Sequence, residues 1–207
     1  MGAFVKENND NKLHSAIGHY ARTVSNGGGT AVQRLSNTIN AGAQLISLVS
    51  GHPQTSNGIT LQINNLTGHP CEEVITEIAN FLTPQNGDGD KIRYALNVAL
   101  SEALEGQEAF DPSAISDDLV MDILLCYLTE SIFIQIVSDA GKSWMKAGSA
   151  EREIEAENEL RELIKVVVDQ KVSQAVSENL RSMTNLQIKL IEESSLKGVW
   201  EEWETYL

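Results

Sequence analysis

The chain has 207 residues, 42% hydrophobic but only 5% aromatic, so a sizeable core must be built from Leu, Ile, Val and Ala. Its formal charge of −14 excludes the basic footprint by which proteins displace counterions from nucleic-acid phosphates, and the same field repels anionic lipid. The charge is uneven: residues 1–106 carry 6 basic and 9 acidic side chains, and residues 107–207 carry 9 and 20.

The first predicted helix covers about residues 10–25, with Leu13, Ile17, Tyr20 and Val24 on one face. Asn26 and Gly27-Gly28-Gly29 stop it, and Thr30-Ala31-Val32-Gln33 reads as a capping box for the next helix. That second helix presents Val32, Leu35, Ile39, Leu45, Ile46 and Val49, and its Ala41-Gly42-Ala43 stretch is expected to let another backbone approach closely. Residues 51–69 read as a loop, in which the alternation over residues 59–63 allows a short strand. The third helix begins at Pro70 and carries Val74, Ile75, Ile78, Phe81 and Leu82. After the turn cluster at residues 83–89, Asp88 or Asp90 is expected to cap a fourth helix with Ile92, Leu96, Ala99, Leu100, Ala103 and Leu104.

Ser116 is expected to cap the fifth and most apolar helix, which ends near Gly141. Residues 119–137 are apolar enough to suggest a membrane span, but Asp122 and Glu130 favour a buried core helix. From Ser149 to about Met183 runs a long charged helix with Ile154, Leu160, Ile164, Val167, Val168, Val172, Val176 and Leu180 as its seam. The alternating Glu151, Glu153, Glu155, Glu157 and Glu159 spread around most of its circumference. Thr184 and Gln187 form a second capping box, opening a last helix with Leu186, Leu190, Leu196, Val199, Trp200 and Trp203. The sum is an all-α protein of about seven helices with a long charged C-terminal helical pair. We expect one compact unit over 1–207. Residues 141–149 offer the only internal boundary, separating a body at 1–141 from a helical pair at 149–207.

Reactive chemistry is hard to find. Asp139-Ala140-Gly141-Lys142-Ser143 ends like a phosphate-binding loop, but Ile136 stands where that motif needs glycine, and a helix precedes it instead of a strand. Asn86, Asp88 and Asp90 open like a calcium loop, yet Lys91 and Asn97 occupy the positions reserved for glycine and glutamate. His14 and His19 diverge by about 140° on a helix and cannot share a zinc ion. His52 and His69 lie at the two ends of one loop and read as exposed side chains, with a shared metal as the alternative. Cys71 and Cys126 are too few for a disulfide framework. Cys126 reads as a core residue, and Cys71 sits at a helix start, where a dipole lowers a thiol pKa. No catalytic, cofactor-binding or metal-binding residue is assigned from these patterns. Without an apolar leader in the polar first residues, a reduced cytoplasmic protein is expected.

Several segments taken together resemble a known family. They are residues 2–5 (GAFV), residues 13–20 (LHSAIGHY), the three-glycine turn, residues 41–45 (AGAQL), residues 66–74 (LTGHPCEEV), and residues 130–145 with Asp139-Ala140-Gly141. In order and spacing the chain is similar to the QatB family, the small helical component of the bacterial Qat antiphage defence system. The neighbours in that system are an ATPase, a QueC-like enzyme and a TatD-like nuclease. The resemblance implies a non-catalytic subunit without a cofactor, bound by the QueC-like enzyme, with the ATPase as a further candidate partner. It also implies a flexible amino terminus that the QueC-like enzyme modifies with a deazaguanine-type group, which points to Gly2. Members carry a Gly/Ser/Pro-rich tail ahead of the helices, and that tail is expected to be missing here. The alternative is a small helical enzyme that uses carboxylates or the loop histidines, with or without a metal.

Overall fold

A computed structural model gives the structure and describes residues 1–7 and 9–206. The described residues form nine α-helices and one hairpin, where about seven helices were expected. The surplus comes from a short amino-terminal helix, α1 (Gly2–Lys6), and from a break in the second predicted helix. The first predicted helix is α2 (Asp10–His19), which continues into a π-helical turn at Tyr20–Val24. That wider turn changes the phase of the apolar stripe. Tyr20 is buried, but Val24, predicted for the core, is exposed.

The glycine turn hands the chain to α3 (Gly28–Arg34) and, after a break at Leu35, to α4 (Ser36–Val49). The expected capping box at Thr30 does not form, because the helix starts at Gly28 with Gly27 at φ +84° as its cap residue. A Cβ on Gly28 would lie 3.0 Å from the Lys197 carbonyl oxygen, so this turn needs a small residue to pack against the last helix. The hairpin pairs β1 (Gln54–Ser56) antiparallel with β2 (Ile59–Leu61), which extends the single strand anticipated there. Next come α5 (Cys71–Leu82) and α6 (Gly89–Ala103). Asp88 precedes α6, but its carboxylate accepts from Asn37 Nδ2 at 2.8 Å and caps nothing.

Ser116 caps α7 (Asp117–Ala140) through the Leu119 amide, Ser149 caps α8 (Ala150–Ala175) through the Arg152 amide, and Thr184 and Gln187 complete the capping box of α9 (Asn185–Trp203). Helix α8 ends eight residues before the predicted Met183. The chain turns away because Asn179 and Arg181 both bind Asp117 at the start of α7, and Arg181 also reaches the Ile115 carbonyl. Leu180 stays buried in a short 3₁₀ turn.

Helices α4, α7, α8 and α9 pack in a closed cycle around the centre, each touching two neighbours, while α5 and α6 cover one flank and α1–α3 another. Buried hydrophobic residues from Phe4 to Trp203, mostly aliphatic, form one cluster. Trp200 and Trp203 are enclosed, their ring centroids 5.1 Å apart, and the Trp200 indole donates to Ser25 Oγ at 2.8 Å. Among the described residues one segment, Asp117–Lys146, is long and apolar enough to cross a membrane, but 67% of its apolar window is buried inside the protein. That burial is the pattern of a core helix.

Candidate functional site

The amino-terminal segment is folded against the body, where the resemblance implied a flexible stretch. Phe4 and Val5 of α1 are fully buried. The Phe4 ring lies 6.4 Å from Trp144, in the 3₁₀ turn that follows α7, and Trp144 meets Phe133 edge-on. Arg152 of α8 clamps the segment. Its guanidinium donates to the Phe4 and Val5 carbonyls at 3.2 Å each, lies 5.5 Å from the Phe4 ring centre, and pairs with Glu159 at 3.1 Å. Gly2 is half-buried beside Lys146. The elements holding α1 also expose two large apolar side chains, Met145 and Ile154. Ile154 had been expected in the α8 seam and lies outside it.

Replacing Arg152 with alanine removes two charged hydrogen bonds and the ring contact together. The expected outcome is that α1 opens about 1–3 kcal/mol more easily, seen as faster amide hydrogen exchange at residues 5–7 with protection in α7 unchanged. Equal protection of residues 5–7 in both proteins would refute the clamp.

A second polar cluster explains the phosphate-loop look-alike. Asp139 accepts from Tyr20 Oη at 2.9 Å, from Arg34 at 2.7 Å and from Gln135 at 3.0 Å. Burial pushes this carboxyl up, but those donors outweigh it and hold the group below the ordinary aspartate value. Asp139 thus ties the π-helical turn, α3 and α7 together. In the calcium-loop look-alike, Asn86 Oδ1 accepts from the Asp88 amide and closes the turn, while the Asp88 carboxylate accepts from Asn37 and ties the turn to α4.

A groove of about 600 Å³ runs along α7 between α6 and α8. On its wall Glu130, 6% exposed, pairs with Arg161 at 3.0 Å, while the Arg161 guanidinium sits 3.6 Å over the centre of the Phe133 ring. Burial raises the Glu130 pKa against the opposing pull of Arg161. Cys126 lines the groove half-buried, and burial together with Glu102 pushes its thiol far up. Cys71 is buried, and burial likewise raises its pKa where a helix start was expected to lower it. Both shifts disfavour the thiolate a nucleophile needs.

Three of the four histidines have separate partners. His14 stacks on Tyr206 at 4.6 Å, His19 contacts Thr23, and His52 contacts the Arg181 carbonyl at 3.0 Å. Among the described residues no three His, Cys, Asp or Glu side chains converge as metal ligands would.

Sequence reading missed one feature of the centre. Glu192 of α9 is 0% exposed, and neither carboxylate oxygen has a hydrogen-bond partner. Burial, then the neighbouring Glu193 charge, raises its pKa well above the ordinary value. It lies against Tyr127 of α7, whose hydroxyl donates to the Thr38 carbonyl at 2.8 Å, and against Gly42 of α4. A Cβ on Gly42 would lie 2.6 Å from both Glu192 Oε2 and Tyr127 Cε1. The close approach expected at Ala41-Gly42-Ala43 is therefore made by two side chains and not by a backbone. The pattern Ile188, Ile191, Glu192, Ser195, Leu196, Val199 has helical spacing and marks the buried face of α9. The predicted Leu186 and Leu190 are instead exposed.

Comparison with curated proteins gives no match, nor does comparison with solved structures. The model of the family described as "Qat anti-phage system associated protein QatB" matches residues 26–203. That span runs from the glycine turn to Trp203 and includes all four helices around the centre. The chain therefore belongs to the QatB family and has its role in the Qat antiphage system.

Proposed function

We propose that this chain is a non-catalytic, partner-binding subunit of the Qat system, gripped by a QueC-like enzyme, with the system's ATPase as a further candidate partner. Its amino terminus is the segment the QueC-like enzyme recognises and modifies, with Gly2 as the position. It works in the cytoplasm with both thiols reduced, and it neither binds nucleic acid nor enters a membrane.

The observation that carries this reading is the seating of α1. Arg152 fixes residues 4 and 5 on the body, so an enzyme that takes hold of Gly2 also meets a folded surface with Met145 and Ile154 exposed. Such a surface supplies apolar contact area beside the segment to be modified. The charge of −14 favours basic partners and speeds their approach.

The test is co-expression with the QueC-like enzyme, followed by intact mass and peptide mapping. The expected outcome is a co-purifying pair and added mass confined to the amino-terminal peptide. An unmodified chain that co-purifies with neither the QueC-like enzyme nor the ATPase would refute the reading.

A further inference from the structure

The groove between α6, α7 and α8 has the features of a helix receptor. Its floor is the face of α7 that carries Ile123 and Cys126, and one wall holds the small residues Ala99 and Ala103 of α6. Small side chains on a helical wall let another helix approach closely, and a helix about 10 Å across fits a trough between two helices. The opposite wall is held rigid, because Arg161 is engaged by Glu130 and Glu157 and lies on Phe133.

Two independent observations point to an occupant. The first is charge. Glu102, Asp122 and Glu162 line the groove, are exposed, and take part in none of the ion pairs among the described residues. Lys165 is the only cation there not already paired with a carboxylate among the described residues. The second is an orphan polar group. Thr129 lines the same groove, is 6% exposed, and its hydroxyl has no hydrogen-bond partner. The oxygen is enclosed beneath the groove lining; buried hydroxyls are normally satisfied, so turning this side chain toward the groove would let a ligand atom supply the missing partner.

We propose that this groove receives an amphipathic helix from a partner protein, aliphatic on its inward face and flanked by lysine and arginine. The aliphatic face covers Ile123 and Cys126, and the basic flanks meet Glu102, Asp122 and Glu162. This is helix-in-groove recognition, with main affinity from apolar burial and orientation from the rim charges. The inference rests on the reading that this chain works by being bound, and it names the surface and the kind of segment that binds there.

Two synthetic helical peptides of about 16 residues, with the same leucine face and with either lysine or glutamate flanks, are titrated into the isotopically labelled full chain. The lysine peptide is expected to bind about tenfold or more tighter, to shift Thr129 and Cys126 resonances, and to weaken as salt rises. Ala103→Trp, which fills the trough, is expected to abolish binding. Asp122→Lys with Glu162→Lys, at exposed positions, is expected to reverse the preference; circular dichroism checks the fold of both variants. Equal affinity for the two peptides, shifts confined to the Leu186–Leu190 face, or self-association through this groove would overturn the proposal. A Qat component that binds the Ala103→Trp variant as tightly as the native chain would also overturn it, leaving the partner-binding reading intact. Peptide binding in the groove with no complex to any Qat component would do the converse.

Discussion

Replacing Gly42 with valine is expected to lower stability by about 3 kcal/mol or more, measured as the change in urea midpoint with an unchanged slope. On helix propensity alone the substitution would be favourable, since glycine in a helix interior is worse than most residues. The packing decides otherwise. A Cβ at this position would sit 2.6 Å from Tyr127 and Glu192, both 0% exposed and held by α7 and α9. Neither neighbour has solvent to retreat into, so α4 must move away from the other two helices. A double variant that also carries Glu192→Ala removes one of the overlapping side chains and is expected to regain part of the loss, giving a coupling that two independent sites would not show. A stable Gly42→Val protein would mean that α4, α7 and α9 do not meet as described.

The second large effect depends on pH. The Glu192 carboxyl has no hydrogen-bond partner, and its folded-state pKa stands well above the ordinary glutamate value because of burial and the Glu193 charge. The native state therefore holds a proton that the unfolded chain releases above about pH 4.3. The sign follows: the contribution of this group is fully present below that pH and declines as pH rises toward the folded-state value. Glutamine in its place has the same shape and does not titrate. Glu192→Gln is thus expected to match the native protein near pH 4 and to exceed it by about 1–3 kcal/mol at pH 8. The acid limb should persist in both proteins, since Asp139, whose folded pKa is lowered, contributes stability that is lost as pH falls through the acid range. Parallel stability curves for the two proteins from pH 4 to 8 would show that Glu192 is not buried unpaired.

The elements that were legible in the sequence have strong local causes. Ser116 and the Thr184–Gln187 pair cap the helices they were expected to cap, because a side-chain oxygen three residues ahead of a free amide decides a helix start locally. Positions where tertiary contacts compete were harder to read. Thr30 had the spacing of a cap, but the fit of Gly28 against Lys197 started the helix three residues earlier. Asp88 was taken up by Asn37 from another helix. The π-helical turn moved Val24 outward, and nothing in its local spacing announced the wider turn. On α9 two apolar stripes compete, and the one that includes a glutamate is buried; polarity argues against that choice until Gly42 is known to leave it room.

The candidate site was legible in outline only. The family resemblance led to the amino terminus and the segment 130–145, but Phe4 is far in sequence from Trp144 and Arg152, and only the fold joins the three into a clamp. The groove is likewise assembled from three helices whose small and acidic residues carry no motif. Its chemistry is shape and charge, which a linear pattern does not record.

The most direct test of a chain that works by being gripped is light scattering on equimolar mixtures with the QueC-like enzyme and with the ATPase, near physiological salt. The account predicts a species of summed mass with at least one of them, weakening as salt rises. Two separate peaks of unchanged mass in both mixtures would contradict it.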